Sequence, residues 1–262
     1  EVVRVWTMLA ANEGFLRRTL NYLSYMVSAT LAAPFQATPD VVISTSPQFF
    51  CGLAGMTTKW IYRAPWLLEV RDLWPESIVT VGAMRKGRAV RFLEWLESKA
   101  YRSADQIVSV TESFVPHIAA RGGCAERICV IKNGVDLALF KKSDAGADAA
   151  KRAIGLEGKF VAAYVGTHGM AHGLDTILDA AELLRDDPRI AFLLVGDGAE
   201  RARLVEAAAT RSLGNVHILG QRSKAEMPGI WSATDASLIL LKRSDLFHKV
   251  IPSKMFEAMA MQ

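Results

Sequence analysis

With 262 residues, 51% hydrophobic and 22% charged, the chain has ordinary globular composition and length for one large domain or two modest ones. That excludes a disordered, collagenous or disulfide-scaffolded protein. Lys and Arg number 31 against 27 Asp and Glu, a net charge of +4 that suits an anionic small molecule or membrane surface. No dense Lys/Arg tract occurs, which argues against a nucleic-acid partner. Cys51, Cys124 and Cys129 form an odd set without metal-ligand spacing, so they read as thiols of a reducing compartment. The chain starts at Glu1 rather than Met and stops at Gln262 inside a helical pattern, and reads as a fragment lacking both ends.

From Phe15 to Ala33, Leu20, Leu23, Val27 and Leu31 recur at helical spacing. The uncharged run from Thr19 to Pro39 has the length of a membrane span, but Asn21, Ser24, Ser28, Thr30 and Pro34 dilute it, so a core-facing or interfacial helix is expected. Asp40 to Ser46 is a short β-branched strand, Phe49 to Tyr62 a helix, and Pro65 to Val70 a buried strand. Arg88 to Arg102 is amphipathic, with Val90, Leu93, Leu96 and Ala100 inward and basic residues outward. A strand at Gln106–Val110 precedes a helix that Thr111 can cap, and Ile128–Ile131 ends in the turn Asn133-Gly134. Residues 141–150 lose all periodicity and read as linker. Beyond them strands at Phe160–Val165, Ile190–Val195, Val216–Leu219 and Ala236–Leu241 alternate with helices at Leu174–Leu184, Arg201–Ser212, near Ile230 and Ser253–Met261.

Alternating strands and helices build parallel sheets covered on both faces. The expectation is an α/β protein of two Rossmann-like domains, over residues 1–140 and 154–262, joined by a linker at 141–153. In such sheets ligands meet the carboxyl ends of the strands. After Val165 comes Gly166-Thr-His-Gly-Met-Ala-His-Gly173, a glycine loop opening a helix and suited to phosphate; the alternative is a turn serving geometry alone. His168 and His172 lie on it. The loop matches neither Gly-x-Gly-x-x-Gly nor a P-loop, which disfavours dinucleotide redox chemistry and P-loop phosphoryl transfer. Gly196-Asp-Gly198 follows the next strand. In Ile251-Pro-Ser-Lys-Met-Phe-Glu257, Pro252 and Ser253 fit a helix start, with Ser253 able to cap. Lys254 and Glu257 then share a helical face, either as an exposed salt bridge or as a diphosphate contact and a ribose contact. Met255, Phe256, Met259 and Met261 are expected in the core. In the first domain, Arg71, Asp72 and Glu76 close a buried strand; they either face a cleft, where they position a sugar hydroxyl or move a proton, or form a buried structural pair.

Arg71-Asp-Leu-Trp-Pro-Glu-Ser, Ser103-Ala-Asp-Gln-Ile-Val, Asn133-Gly-Val-Asp-Leu-Ala-Leu-Phe140, Val195-Gly-Asp-Gly and Pro252-Ser-Lys-Met-Phe-Glu-Ala-Met-Ala together resemble glycosyltransferase family 4. They are most similar to the branch that builds capsule, colanic-acid-type and O-antigen polysaccharides, which includes N-acetyl-L-fucosamine transferases. The resemblance implies a GT-B fold, a retaining transfer from a nucleotide sugar (a UDP-sugar) to a lipid-linked saccharide, and no obligatory metal or cofactor. It also implies a cytoplasmic protein with peripheral contact to the inner membrane, for which the basic faces at Arg17/Arg18 and Arg85 to Arg91 are candidates. By the same resemblance, the diphosphate Arg and Lys of many members fall on Thr167 and His172, and the first of two spaced glutamates falls on Lys249, the second on Glu257. Arg71 replaces a histidine. Lys254, Lys249 and the Gly166–Gly173 amides would then hold the diphosphate, Glu257 the ribose, and the backbone of Gly220 to Arg222 the base. The alternatives are a non-catalytic partner that keeps the fold, and a sugar-nucleotide epimerase using Asp72 and Glu76 as acid and base.

Overall fold

The structure is a computed structural model that describes residues 2–9, 15–46, 48–141 and 146–261. It divides into two compact units, Glu1–Lys132 with Ser244–Val250, and Asn133–Arg243 with Ile251–Gln262. The first carries α1 (Phe15–Ala32), β1 (Val42–Thr45), α2 (Phe49–Tyr62), β2 (Trp66–Val70), α3 (Glu76–Thr80), α4 (Arg88–Ser103), β3 (Gln106–Ser109), α5 (Val115–Ala120) and β4 (Ile128–Val130). Its four strands pair in parallel in the order β1-β2-β3-β4. The second carries α6 (Gly146–Ala153), β5 (Phe160–Val165), α7 (Asp175–Leu183), β6 (Ile190–Val195), α8 (Arg201–Thr210), β7 (Val216–Leu219), α9 (Met227–Ser232), β8 (Ala236–Ser237) and α10 (Lys254–Ala260). Its parallel order is β7-β6-β5-β8. The strand order reverses direction between β5 and β8, and that reversal opens a crevice where two loops leave in opposite directions.

The period-two geometry of a strand explains why β5 and β6 read as continuous apolar runs. Val161, Ala163, Val165, Ala191, Leu193 and Val195 face one side and pack with Ile230, Trp231 and Met261. Ala162, Tyr164, Phe192 and Leu194 face the other and pack with Ile177, Leu178 and Ala181 of α7 and Leu204 of α8. Both sheets share one device at a strand entrance. Asp105, just before β3, accepts the Trp66 amide at 2.7 Å and the Lys59 ammonium at 2.7 Å. Asp235, just before β8, accepts the Val161 amide at 2.7 Å and the Lys151 ammonium at 2.9 Å. Each aspartate satisfies an amide at the entrance of the neighbouring strand and neutralises a lysine brought from a helix.

Several local readings need correction. The linker expected over 141–153 falls partly outside the described residues, at 142–145, and Gly146–Ala153 is helix α6, held by Lys151 on Asp235. Phe140, read as the end of the first domain, is buried in the core of the second unit beside Leu156 and Val161. Helix α3 has no apolar periodicity in its five residues and was not foreseen. The strand expected over Ala236–Leu241 hydrogen-bonds as a ladder only at Ala236–Ser237. Ser253 does not cap α10: its φ of −59° and ψ of −31° are already helical, so its hydroxyl is turned from the amides a cap would serve. Met259 is 57% exposed, whereas Met261 is buried. Thr111 does cap, accepting from the Ser113 amide at 3.3 Å.

Candidate functional site

In the second unit the loops after β5, β6 and β8 meet. Gly166 continues the sheet for one residue, its amide donating to Val195 O at 2.9 Å, and the His168 amide donates to Asp197 O at 2.9 Å. The His172 amide donates to Gly169 O at 3.1 Å. These three amides belong to the protein, so of the loop expected to offer its N–H groups to phosphate, Gly166, His168 and His172 hold no amide in reserve. The glycines have a different use. A Cβ on Gly196 would lie 2.0 Å from Gly166 O, and one on Gly198 would lie 2.6 Å from His168 O. Both residues also have positive φ, 143° and 153°, so only glycine lets the two loops come together.

Lys254 opens α10 and turns its side chain over this loop. Its Nζ sits 3.7 Å from the centroid of the Tyr164 ring, and a Cβ on Gly166 would meet it at 2.9 Å. Nζ is buried and has no hydrogen-bond partner among the described residues. Burial, opposed only by Glu257, pulls its pKa down to about 8. The exposed Lys254–Glu257 salt bridge is therefore not what forms: Glu257 instead accepts from Trp231 Nε1 at 3.2 Å. An ammonium with no hydrogen-bonded partner among the described residues, at the carboxyl end of a central strand, is costly unless an anion joins it. The aromatic face offsets part of that cost.

Histidines complete the loop. His172 is half-buried; its Nδ1 lies 3.3 Å from Leu240 O on the loop after β8, and its ring is 5.7 Å from Tyr164. Burial and then Lys254 lower its pKa, so it is neutral at neutral pH. The Leu240 carbonyl assigns the proton to Nδ1 and leaves Nε2 as an acceptor. Thr167 is exposed, and its carbonyl accepts from Tyr164 OH at 2.8 Å. Gly173 carries φ 60° beside the stem of Lys242, a cation that sequence reasoning missed. Arg222 is exposed and 3.4 Å from Glu226. Ser253 is exposed, and Lys249 lies on the turn Phe247–Lys249 in the segment that belongs to the first unit.

His168 is fully buried with neither ring nitrogen partnered among the described residues, and burial, followed by Arg201, lowers its pKa to about 4. The folded protein refuses a proton there that the unfolded chain accepts near 6.5. Stability is therefore complete above about pH 6.5 and falls as pH drops toward about 4. Urea midpoints measured against pH will show that loss in the parent, and His168→Leu will flatten the slope in that window. An unchanged slope would mean the ring reaches a proton acceptor.

In the first unit Arg71 is exposed at the end of β2, and its amide donates to Ser46 Oγ at 3.1 Å. Asp72 is half-buried; burial raises its carboxyl pKa, against hydrogen bonds from the Ser77 side chain and the Leu73 amide. Glu76 is committed elsewhere: its Oε2 lies 3.1 Å from His117 Nδ1, and His117 Nε2 lies 3.1 Å from the buried Glu97. This chain ties α3 to α5 and α4. Asp72 also lines a small cavity of about 20 Å³ with Ser46, Trp74, Glu97 and Tyr101. Trp231, Tyr164, Ser77 and the Leu240 carbonyl, which hold the site residues, leave no motif in the sequence and emerge only from packing.

Two family models cover the chain in order: the glycosyl transferase 4-like domain matches residues 1–134 and the glycosyl transferases group 1 domain matches residues 147–262. The chain belongs to glycosyltransferase family 4. It is 27% identical over 252 residues to a protein of Escherichia coli (strain K12) named as colanic acid biosynthesis glycosyl transferase WcaI, covering 94% of this chain and 61% of that one. It is 25% identical over 225 residues to a Pseudomonas aeruginosa protein named as glycosyltransferase WbjE, covering 84% of this chain and 55% of that one. The chain thus spans little more than half the length of these relatives. Among solved structures, Anabaena Alr3699/HepE in complex with UDP and glucose superposes with a TM-score of 0.70 at 18% identity, over 95% of this chain and 62% of that chain. The sucrose-phosphate synthase of Thermosynechococcus elongatus superposes at 0.72 with 19% identity, over 92% of this chain and 58% of that chain. Both units therefore carry the parallel α/β fold of GT-B glycosyltransferases.

Proposed function

We propose that this family 4 chain forms the catalytic part of a retaining glycosyltransferase that moves a sugar from a UDP-sugar to a lipid-linked saccharide in bacterial surface polysaccharide synthesis. The observation that carries the reading is Lys254: a buried ammonium without a hydrogen-bond partner among the described residues, set against Gly166 at the end of β5. When the donor C1–O bond breaks, charge builds on the leaving diphosphate, and a fixed cation in a dry site stabilises it as it develops. Glu257, oriented by Trp231, keeps its second carboxylate oxygen for a ribose hydroxyl. His172 offers Nε2 to the same ligand, and the turn after β7 at Gly220–Arg222 receives the base. Asp72, whose raised pKa makes it a competent proton carrier, is the first-unit carboxylate assigned to a sugar hydroxyl. No metal or cofactor enters this scheme. The names of the bacterial relatives support the polysaccharide role. No helix among the described residues is long and apolar enough to cross a membrane, and a lipid-linked acceptor would be met at the cytoplasmic face of the inner membrane by peripheral contact.

The epimerase alternative needs two free carboxylates on the sugar, and Glu76 is spent on His117. A thermal-shift comparison of UDP, GDP, ADP and UDP-sugars on the full-length protein tests the proposal. UDP at a hundredfold its dissociation constant is expected to add about 2.7 kcal/mol. No shift with any nucleotide would overturn the donor site and leave the non-catalytic partner as the reading.

A further inference from the structure

Helix α4 has an outer face that the donor chemistry leaves unexplained. Its inner side is ordinary: Val90, Glu97, Ala100 and Tyr101 are buried in the first unit. Opposite them, Arg88, Arg91, Phe92, Trp95, Lys99 and Arg102 are all exposed. At 3.6 residues per turn, these six side chains fall within an arc of about 100°. Phe92 is 57% exposed and Trp95 52% exposed, and their rings stack on each other with centroids 5.8 Å apart. Lys99 Nζ lies over the Trp95 ring at 5.6 Å. Arg85 and Lys86, exposed just before the helix, extend the same charge. The helix's two carboxylates are off this arc: Glu94 is paired with Arg121, and Glu97 is buried.

A solvated helix face has no reason to place two exposed aromatic rings in water among cations and to keep both of the helix's own acids off that arc. An anionic bilayer surface accounts for both features. Aromatic rings settle at the headgroup level, where one side is apolar and the other wet. Lys and Arg around them meet lipid phosphates, with an attraction that fades within a Debye length.

We propose that the outer face of α4 is a membrane-docking surface for anionic phospholipid, with Phe92 and Trp95 as interfacial anchors and Arg88, Arg91, Lys99 and Arg102 as headgroup contacts. The choice of a bilayer over another polyanion rests on the lipid-linked acceptor reading; the charge and aromatic placement do not.

Co-sedimentation of the full-length protein with vesicles of phosphatidylcholine alone, and of phosphatidylcholine mixed with phosphatidylglycerol, tests it. Binding is expected only to the mixed vesicles and is expected to weaken with salt. Each cation removed should lower partitioning about fivefold, so Arg88→Glu with Arg91→Glu should cost about 25-fold or more. Phe92→Ser with Trp95→Ser should weaken binding at every salt concentration. Lys141→Glu with Arg189→Glu, exposed cations elsewhere, should leave it nearly unchanged. Equal binding to both vesicle types, insensitivity to the α4 variants, or an equal loss in the control pair would overturn the proposal, as would retention on an RNA or heparin column without vesicle binding. The UDP thermal shift is read on the same proteins. A shift that persists while vesicles are ignored sinks the docking surface and spares the donor site; vesicle binding without a UDP shift does the reverse.

Discussion

Gly196→Ala is expected to lose about 3 kcal/mol or more of stability, enough to unfold the second unit under mild urea. The added Cβ would stand 2.0 Å from Gly166 O and 2.8 Å from its carbonyl carbon, both backbone atoms that cannot swing aside. Its φ of 143° adds the strain of a conformation that side-chain-bearing residues avoid. Two costs of about 1–3 kcal/mol each therefore fall on one methyl group. Relief would mean pulling Gly196 from Gly166, which breaks the hydrogen bond that the Gly166 amide donates to Val195 O at the end of the β5–β6 ladder. Gly214→Ala is the matched control. It has open space around the same position, and its midpoint should shift by no more than about 0.5 kcal/mol. Urea unfolding followed by circular dichroism separates the two. Similar midpoints for both variants would show that the loops can separate without cost.

Lys254→Met should do two things of opposite sign. Without ligand it is expected to raise stability at neutral pH by about 1 kcal/mol, because a desolvated ammonium is replaced by an apolar chain of similar length while some cation–π attraction is lost. With UDP it should lose about 10- to 100-fold in affinity, the worth of a charged contact of about 1.5–3 kcal/mol. The pH dependence has a definite direction. In the folded protein Lys254 gives up its proton near pH 8, whereas the unfolded chain holds it to about 10.5. Between those values the unfolded state binds more protons, so the parent gains stability as pH rises and the advantage of the variant shrinks. Melting curves of parent and variant at neutral and alkaline pH, each with and without UDP, measure both effects. A variant that is less stable without ligand, yet binds UDP normally, would make Lys254 a packing residue.

A good part of this architecture was legible in the chain. The bounds of α2 and of β5 and β6 are the ones that apolar runs and breakers indicate, since a central parallel strand buried on both faces is built almost wholly from apolar and aromatic residues. Positions after strands pointed to Gly166, Gly196, Gly198 and Lys254 because strand ends in such sheets converge. What remained hidden has a common cause. Helix α6 is short and half-polar, and Lys151 docks it on Asp235, eighty-four positions away in the chain. Glu76 looked like a catalytic acid beside Asp72; only the arrival of His117 from α5 shows that it is a brace.

The sequence by itself determined the class of the protein. Periodicity, breakers and ordered motifs are local properties, and they specify two parallel α/β units of a family 4 glycosyltransferase together with the strand ends where chemistry belongs. Only the tertiary structure decided which side chains are spent and which are free. Lys254 and Glu257, one helical turn apart, read in the chain either as an exposed salt bridge or as a diphosphate contact and a ribose contact; in the fold, Trp231 takes the carboxylate and Tyr164 takes the ammonium. Pairing of polar groups is settled by burial and by partners remote in sequence, because a charge removed from water binds whatever the packing brings within reach. Lys254, left without a hydrogen-bond partner among the described residues, is a cation placed to serve a ligand.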